Sequence, residues 1–234
     1  MFSEEIEELD AANPDLDEFF RKKGFKKIGG IDEAGRGALA GPVVAACVVL
    51  DHENIPTGIA DSKVLSDEKR REVYPLILEC ALSVGIGVAD NKEIDRINIL
   101  KATKLAMMRA FKDLKVDPDI LLIDAIKLNE IPINSISIVR GESRSISIAA
   151  ASIVAKVFRD NMMIKYSEIF PEYRFCENKG YGTSFHLKAL MEYGPCEIHR
   201  HSYAPVIKAL KKCGLKNRKK QIPLFQKSNH EGSV

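Results

Sequence analysis

The stretch IGGIDEAGRGALAGPVVAACVVL, Ile28 to Leu50, decides the fold. KKIGGID reads as a short strand, and GPVVAACVVL is a nearly continuous β-branched run of the kind found in strands buried on both faces. Two core strands are therefore adjacent in the chain, and between them lie Asp32, Glu33 and a glycine-bracketed arginine, Gly35-Arg36-Gly37. Working outward, SDEKRREVYPLILECAL predicts a helix capped by Ser66 and kinked at Pro75, followed by a third strand, LSVGIGVAD. Asn91 is the expected cap of the next helix, whose Ile94, Ile97, Leu105, Met108 and Phe111 suit one buried face. DPDILLIDA and INSISIV supply two more strands, and SISIAAASIVAKVFRDNMMIKY is a helix whose Ala149, Ala150 and Ala151 permit a close approach to the sheet.

The order of these elements predicts an α/β fold: a mixed five-stranded sheet flanked by helices, with a small helical C-terminal extension from SFHLKALMEYG and PVIKALKKCG. The expected divisions are an acidic helical lead-in over 1–25, a main domain over 26–170, the extension over 171–214 and a mobile basic tail over 215–234. A formal charge of +2 across 234 residues is too small to argue nucleic-acid binding by itself. No apolar run approaches the roughly 20 residues needed to span a bilayer, and no secretory signal pattern opens the chain. Five cysteines without a CxxC pair suit reduced thiols, so the expected setting is the cytoplasm, with the chain acting as a monomer.

Two phosphate-loop readings fail on context. GGIDEAGRG offers glycines after a strand, but Arg36 and Gly37 stand where a P-loop needs Lys and Ser or Thr. GRGALA fits a dinucleotide pattern, yet a strand follows it instead of the helix that must receive the pyrophosphate. The carboxylates point elsewhere. Asp32 and Glu33 can share a site if their strand ends or bulges there, Asp124 closes the strand ILLI, and Asp160 lies with Ser152 and Lys156 on a polar stripe of an otherwise apolar helix. Carboxylates held close repel one another unless a hard divalent cation offsets the repulsion, and Mg²⁺ uses a few carboxylates together with substrate phosphate. That combination suggests phosphoryl-transfer chemistry.

IGGIDEAGRGALAGPVVAACVVL, DSKVLS, INILKATKLAM, LLIDA, SISIAAASIVAKVFRD and NKGYGTSFHLKAL with GPCEIHRHSYAPV resemble, in order and spacing, the signature blocks of bacterial ribonuclease HII over roughly residues 26 to 206. One departure is Glu142 in RGESRS, where that family usually has Asp. The resemblance implies a ribonuclease H fold and an endonuclease that cuts the RNA strand of RNA/DNA hybrids and single ribonucleotides embedded in DNA, leaving 5′-phosphate and 3′-hydroxyl ends. It implies Asp32, Glu33, Asp124 and Asp160 as ligands of two Mg²⁺ or Mn²⁺ ions. It further implies that Gly35, Arg36 and Gly37 read the 2′-hydroxyl, and that Tyr181 stacks on the sugar after the ribonucleotide. From the residues alone, a tyrosine between glycines is equally compatible with ordinary packing. Ser62 and Lys63 are candidate phosphate contacts or a helix cap, and Lys156 is a candidate substrate contact or a helix-surface partner of Asp160.

Cys196, His199 and His201 raise the question of zinc, but structural zinc takes four ligands and no fourth is evident. The resemblance makes His199, Arg200 and Ser202 a structural or substrate-facing loop, with His186 structural. In the basic tail, QIPLF resembles the short peptides that bind bacterial sliding clamps, with Gln221 as polar anchor and Leu224 and Phe225 as apolar ones. The competing functions are a noncatalytic nucleic-acid binding module, which the four acids oppose, and a junction resolvase-like metal nuclease, which has no use for ribose-reading GRG and KGYGT.

Overall fold

The computed structural model describes residues 15–56, 58–59 and 65–220. Five strands form one sheet in the order β3-β2-β1-β4-β5: β1 (Ile28–Ala34), β2 (Val43–Leu50), β3 (Ala81–Ala89), β4 (Ile120–Asp124) and β5 (Ser135–Ile138). β2 pairs antiparallel with both β1 and β3, whereas β4 runs parallel to β1 and to β5. This is the mixed five-stranded sheet expected from the sequence.

Every residue of β2 is buried because both faces of the sheet are covered. Val43, Ala45 and Cys47 pack with Ala102, Ala106 and Met107 of α4 (Ile99–Asp113) on one side. Ala46, Val48 and Leu50 pack on the other with Val73 and Ile77 of α2 (Asp67–Cys80) and with α5 (Ile146–Ile169). The alternation is the strand period of two. α5 lies very close to β1: a Cβ added at Gly30 would stand 2.0 Å from the carbonyl carbon of Ser147. Ala149, Ala150 and Ala151 are fully buried against the sheet, as their size predicts. α1 (Leu16–Lys22) packs with Ile28, Ile120, Leu122 and Ile148 and is pinned to α5 by Asp17, whose carboxylate accepts hydrogen bonds from the Ser147 hydroxyl and backbone N–H.

Local chemistry differs from expectation at two places. Ser66 caps α2 as expected, accepting from the Lys69 N–H at 3.2 Å, and the helix contains Pro75 and continues to Cys80. Asp90, not Asn91, caps α3 (Asn91–Ile97), in a reciprocal capping box with Glu93. The long helix expected after it is broken at Asn98, which adopts φ +69° and caps α4 by accepting from the Lys101 N–H at 3.1 Å. With ψ 164° the residue lies outside the left-handed helical well, in a region most side chains avoid, but asparagine is among the best N-caps, so one residue ends one helix and starts the next. The C-terminal part contributes α6 (Phe175–Asn178), α7 (Ser184–Tyr193) and α8 (Ala204–Lys220). A bridge between Ala40 and His199 joins it to the loop after β1.

Candidate active site

The ladder between β1 and β4 ends at the pair Ile31 and Ile123, so Asp32 and Asp124 are the next residues on two neighbouring parallel strands. Sheet pairing alone brings them to the same edge. The expectation that the strand ends or bulges between Asp32 and Glu33 is incorrect: β1 keeps regular pairing with β2 through Ala34 and Val44. What opens there is only the β4 side.

Asp32 is buried, and its Oδ1 accepts from the Glu33 N–H at 2.7 Å. Burial, then the charges of Glu33 and Asp124, hold its carboxyl well above the usual range, against a hydrogen bond from Ser152. Glu33 is raised by burial too, opposed by the Arg36 guanidinium, which donates to Oε1 at 3.0 Å. Asp124 Oδ1 accepts from the Gly141 N–H at 2.7 Å, which ties the end of β4 to the turn after β5. Asp160, on α5, is almost fully buried and paired with Lys156 Nζ at 2.8 Å. Asp32, Glu33 and Asp124 thus form one interacting group, with Asp160 held separately by its lysine. Among the described residues, no group of three or more His, Cys, Asp or Glu side chains is already arranged to hold a metal ion.

The residues nevertheless fit a cation. Four buried side-chain polar atoms among the described residues have no hydrogen-bond partner, and two of them, Glu33 Oε2 and Arg70 Nε, belong to residues lining one cavity of about 380 Å³. A buried carboxylate oxygen with no donor, among carboxylates that repel it, is what a hard cation satisfies. The cavity is completed by Gly35, Arg36, Gly37, Glu142, Ser152, Lys156 and Tyr181. Lys156 Nζ and Arg159 Cζ lie 5.7 and 5.4 Å from the centre of the Tyr181 ring. Arg36, a candidate substrate contact, turns back onto Glu33. Glu142, the departure noted in RGESRS, lines the cavity, and its Oε2 accepts from the Ser152 hydroxyl at 3.4 Å. Ser62 and Lys63 lie outside the described residues, as do Gln221, Leu224 and Phe225.

Two fully buried arginines fix the loops around this cavity. Arg200 donates to the carbonyls of Gly35 (2.7 Å), Arg36 (2.8 Å) and Gly41 (3.0 Å). Arg159 donates to those of Pro42 (2.9 Å), Ala40 (3.2 Å) and Lys179 (2.9 Å). The Tyr203 hydroxyl is a second donor to the Arg36 carbonyl, at 2.8 Å. Sequence reasoning missed Arg70 and Arg159; the available signal was an arginine beside Asp160 in an apolar helix, whose stem and head must both find partners. The zinc reading is excluded by geometry. Cys196 approaches His199 at Nδ1 while His201 is exposed, and Ser202 hydrogen bonds to Asp95.

Residues 29–206 match the family described as Ribonuclease HII. The chain belongs to that family. It is 52% identical to ribonuclease HII of Bacillus subtilis over 188 residues, 80% of this chain and 72% of that one. It is 54% identical to the Geobacter metallireducens enzyme over 185 residues, 79% and 87% of the two chains. Solved structures share the fold: ribonuclease H2 of Pyrococcus horikoshii (TM-score 0.68, 22% identity, 84% of this chain and 100% of that chain) and ribonuclease HII of Archaeoglobus fulgidus in a complex with PCNA (0.65, 23%, 76% and 95%). The Mn²⁺ complex of a ribonuclease HIII, Bst-RNase HIII, superposes equally well (0.65, 21%, 79% and 69%). The chain is accordingly a metal-dependent endonuclease acting on RNA/DNA hybrids and on ribonucleotides embedded in DNA. Among the described residues no helix is long and apolar enough to cross a membrane.

Proposed function

We propose that Asp32, Glu33, Asp124 and Asp160 hold two divalent cations, Mg²⁺ or Mn²⁺, at the sheet edge, and that the cavity beside them receives the ribonucleotide. The observation that carries this reading is the buried Oε2 of Glu33, without a hydrogen-bond partner within the crowded acids, on a residue that lines a cavity shared with Gly37 and Tyr181. When bound, such ions activate water and stabilise charge on an in-line phosphoryl transfer. The chain's own residues then have distinct duties. Asp32, Glu33 and Asp124 supply negative charge, and Lys156 keeps Asp160 oriented. Substrate phosphate and water complete the coordination that the carboxylates leave open.

The GRG segment reads the ribose, and it does so mainly as a hydrogen-bond donor. The Arg36 carbonyl already accepts two hydrogen bonds and so does that of Gly35, from Arg200 and from the Ala38 N–H at 3.4 Å, so the N–H groups are the principal free functions of this loop. Tyr181 stacks on the following sugar, Arg36 exchanges Glu33 for a phosphate, and Ser62 and Lys63 add phosphate contacts. The domain over 26–170 carries the acids, and the extension over 171–214 brings Tyr181 and Arg200 to them. The enzyme acts as a monomer in the cytoplasm.

The test is product mapping on a DNA duplex carrying one ribonucleotide. One cut at the ribonucleotide, giving 5′-phosphate and 3′-hydroxyl ends and requiring divalent cation, is expected. A 2′,3′-cyclic phosphate, or cleavage that survives EDTA, overturns the reading.

A second reading concerns QIPLF. Large apolar residues in a Lys-rich tail, with Pro223 favouring an extended segment, suit capture by a sliding clamp, and an archaeal relative is known in a PCNA complex. A peptide spanning Lys219 to Lys227 should bind the clamp at micromolar strength or weaker, and Leu224→Ala with Phe225→Ala should abolish binding while sparing cleavage of naked duplex. No binding by the intact protein at low salt sinks this idea.

A further inference from the structure

His186 and His199 are both fully buried, and neither touches the carboxylates. Their rings form a chain of contacts. His186 Nδ1 lies 2.8 Å from the Tyr181 carbonyl oxygen, His186 Nε2 lies 3.0 Å from His199 Nε2, and the Cys196 N–H donates to His199 Nδ1 at 3.0 Å. The rings of Tyr173 and Phe175 wall this chain, with Tyr173 4.9 Å from His199 and Phe175 5.4 Å from His186 between centroids.

The two ends of the chain fix every proton in it. A carbonyl only accepts, so His186 Nδ1 carries hydrogen, and in a neutral ring Nε2 is then a bare acceptor. A backbone N–H only donates, so His199 Nδ1 is bare and its Nε2 carries hydrogen. The contact between the two Nε2 atoms is therefore a hydrogen bond from His199 to His186. One pair of tautomers satisfies all three contacts with neutral rings. Burial holds both histidines below their ordinary pKa, His199 at about 3, in agreement with that geometry.

We propose that His186 and His199 form a directional strut that positions Tyr181, making them specificity-determining residues for cleavage at a single ribonucleotide. The strut runs from the Cys196 amide to the Tyr181 carbonyl, which also accepts from the Thr183 N–H at 2.8 Å. The Tyr181 main chain is thereby held from behind while its ring edge faces the Gly37 backbone: a Cβ added at Gly37 would lie 4.0 Å from Tyr181 Cε1. Any tilt of that carbonyl changes the gap the ribonucleotide and its neighbouring sugar must enter. This inference rests on the reading of Tyr181 as a substrate contact, and the histidines act only through it.

The experiment compares kcat/KM on a single-ribonucleotide duplex with kcat/KM on a long RNA/DNA hybrid, for matched isosteres at 186. Asparagine there places an N–H near the position of Nδ1, and glutamine places its amide near that of Nε2. His186→Gln should lower junction cleavage about tenfold relative to hybrid cleavage, the worth of one buried hydrogen bond. His186→Asn should restore it to within about twofold, since the bond to the Tyr181 carbonyl is the one that counts. In a Tyr181→Ala background His186→Gln should cost nothing further. Nitrogen chemical shifts of the unmodified protein, a readout independent of any variant's folding, should show His186 protonated at Nδ1 and His199 at Nε2. His186 protonated at Nε2, or losses from His186→Gln and Tyr181→Ala that multiply, overturn the strut while leaving Tyr181 as a contact. Undiminished junction cleavage by Tyr181→Ala overturns the reading of Tyr181, and with it the strut's effect on specificity.

Discussion

Two places in this molecule bury charges of one sign beside each other, and the chain completes one and leaves the other open. Arg159 and Arg200 lie fully buried behind the GRG loop, and burial, with the charge of Arg200 adding to it, lowers Arg159 to about 10. Six main-chain carbonyls receive them. At the sheet edge Asp32, Glu33 and Asp124 also repel one another, yet Glu33 Oε2 has no donor at all. Burying like charges is expensive in either case, by several kcal/mol per ion. Where the purpose is to hold a loop, the chain supplies its own partners; where it is to bind something, a partner is left missing.

The sharpest way to break this contrast is to neutralise the open side. Asp32→Asn and Asp124→Asn should each lower cleavage by at least about a thousandfold, the scale of losing a main element of transition-state charge stabilisation. Thermal stability without metal should hold or rise, because repulsion is removed. Substantial turnover by both variants under saturating Mg²⁺ would mean that the acids are merely another structural cluster. On the completed side the pattern reverses. Arg200→Met leaves the carbonyls of Gly35, Arg36 and Gly41 without this donor and should cost about 3 kcal/mol in urea unfolding. An Arg200→Met protein as stable as the parent would show that the buried guanidinium is no strut.

The two glycines of GRG separate the same roles at smaller scale. Gly35 has φ +97°, and a Cβ there would meet Arg159 Nε at 2.0 Å, so Gly35→Ala should destabilise by about 2 kcal/mol through backbone strain and displacement of Arg159. At Gly37 the nearest atom is Tyr181 Cε1 at 4.0 Å, so Gly37→Ala should leave stability within about 0.5 kcal/mol while obstructing the ribonucleotide. Equal unfolding midpoints for the two variants would erase the distinction. The proposed approach to ribose would account for Gly37, whereas Gly35 is glycine for an internal reason, its packing against Arg159.

That distinction marks the limit of what the sequence reveals. The strands around Asp32 and Asp124 were legible because β-branched runs have a recognisable period, and the family blocks made the acids candidates. Their adjacency depends on the parallel register that stops at Ile31 and Ile123, a long-range pairing with no local signature. Asn98 ends one helix and begins another through a single backbone angle inside a continuous apolar pattern. Arg159 looks like an ordinary surface cation and Arg200 stood out only through the family blocks, since their six carbonyl partners come from residues 20 to 165 positions away in the chain.

The smallest effect sets the two regions against each other by pH. His199 is held at about 3 in the folded protein, below the roughly 6.5 of an unfolded chain. Below 6.5 the unfolded chain binds a proton that the fold refuses, so this contribution is fully present above that pH and is lost as pH falls. Asp32 and Glu33 are raised in the fold, so the sign is opposite: their stability is greatest at low pH and is lost as pH rises through their folded values. Between pH 6.5 and 5.5 the parent should therefore lose about 1 kcal/mol relative to His199→Gln, the slope of one refused proton. As pH falls towards the ordinary carboxylate range, without metal, it should gain stability relative to Asp32→Asn. Urea unfolding of the three proteins at each pH reads both differences. Parallel curves for the parent and His199→Gln would mean that His199 takes up its proton in the fold, and that the loop region, like the acids, is waiting for a partner.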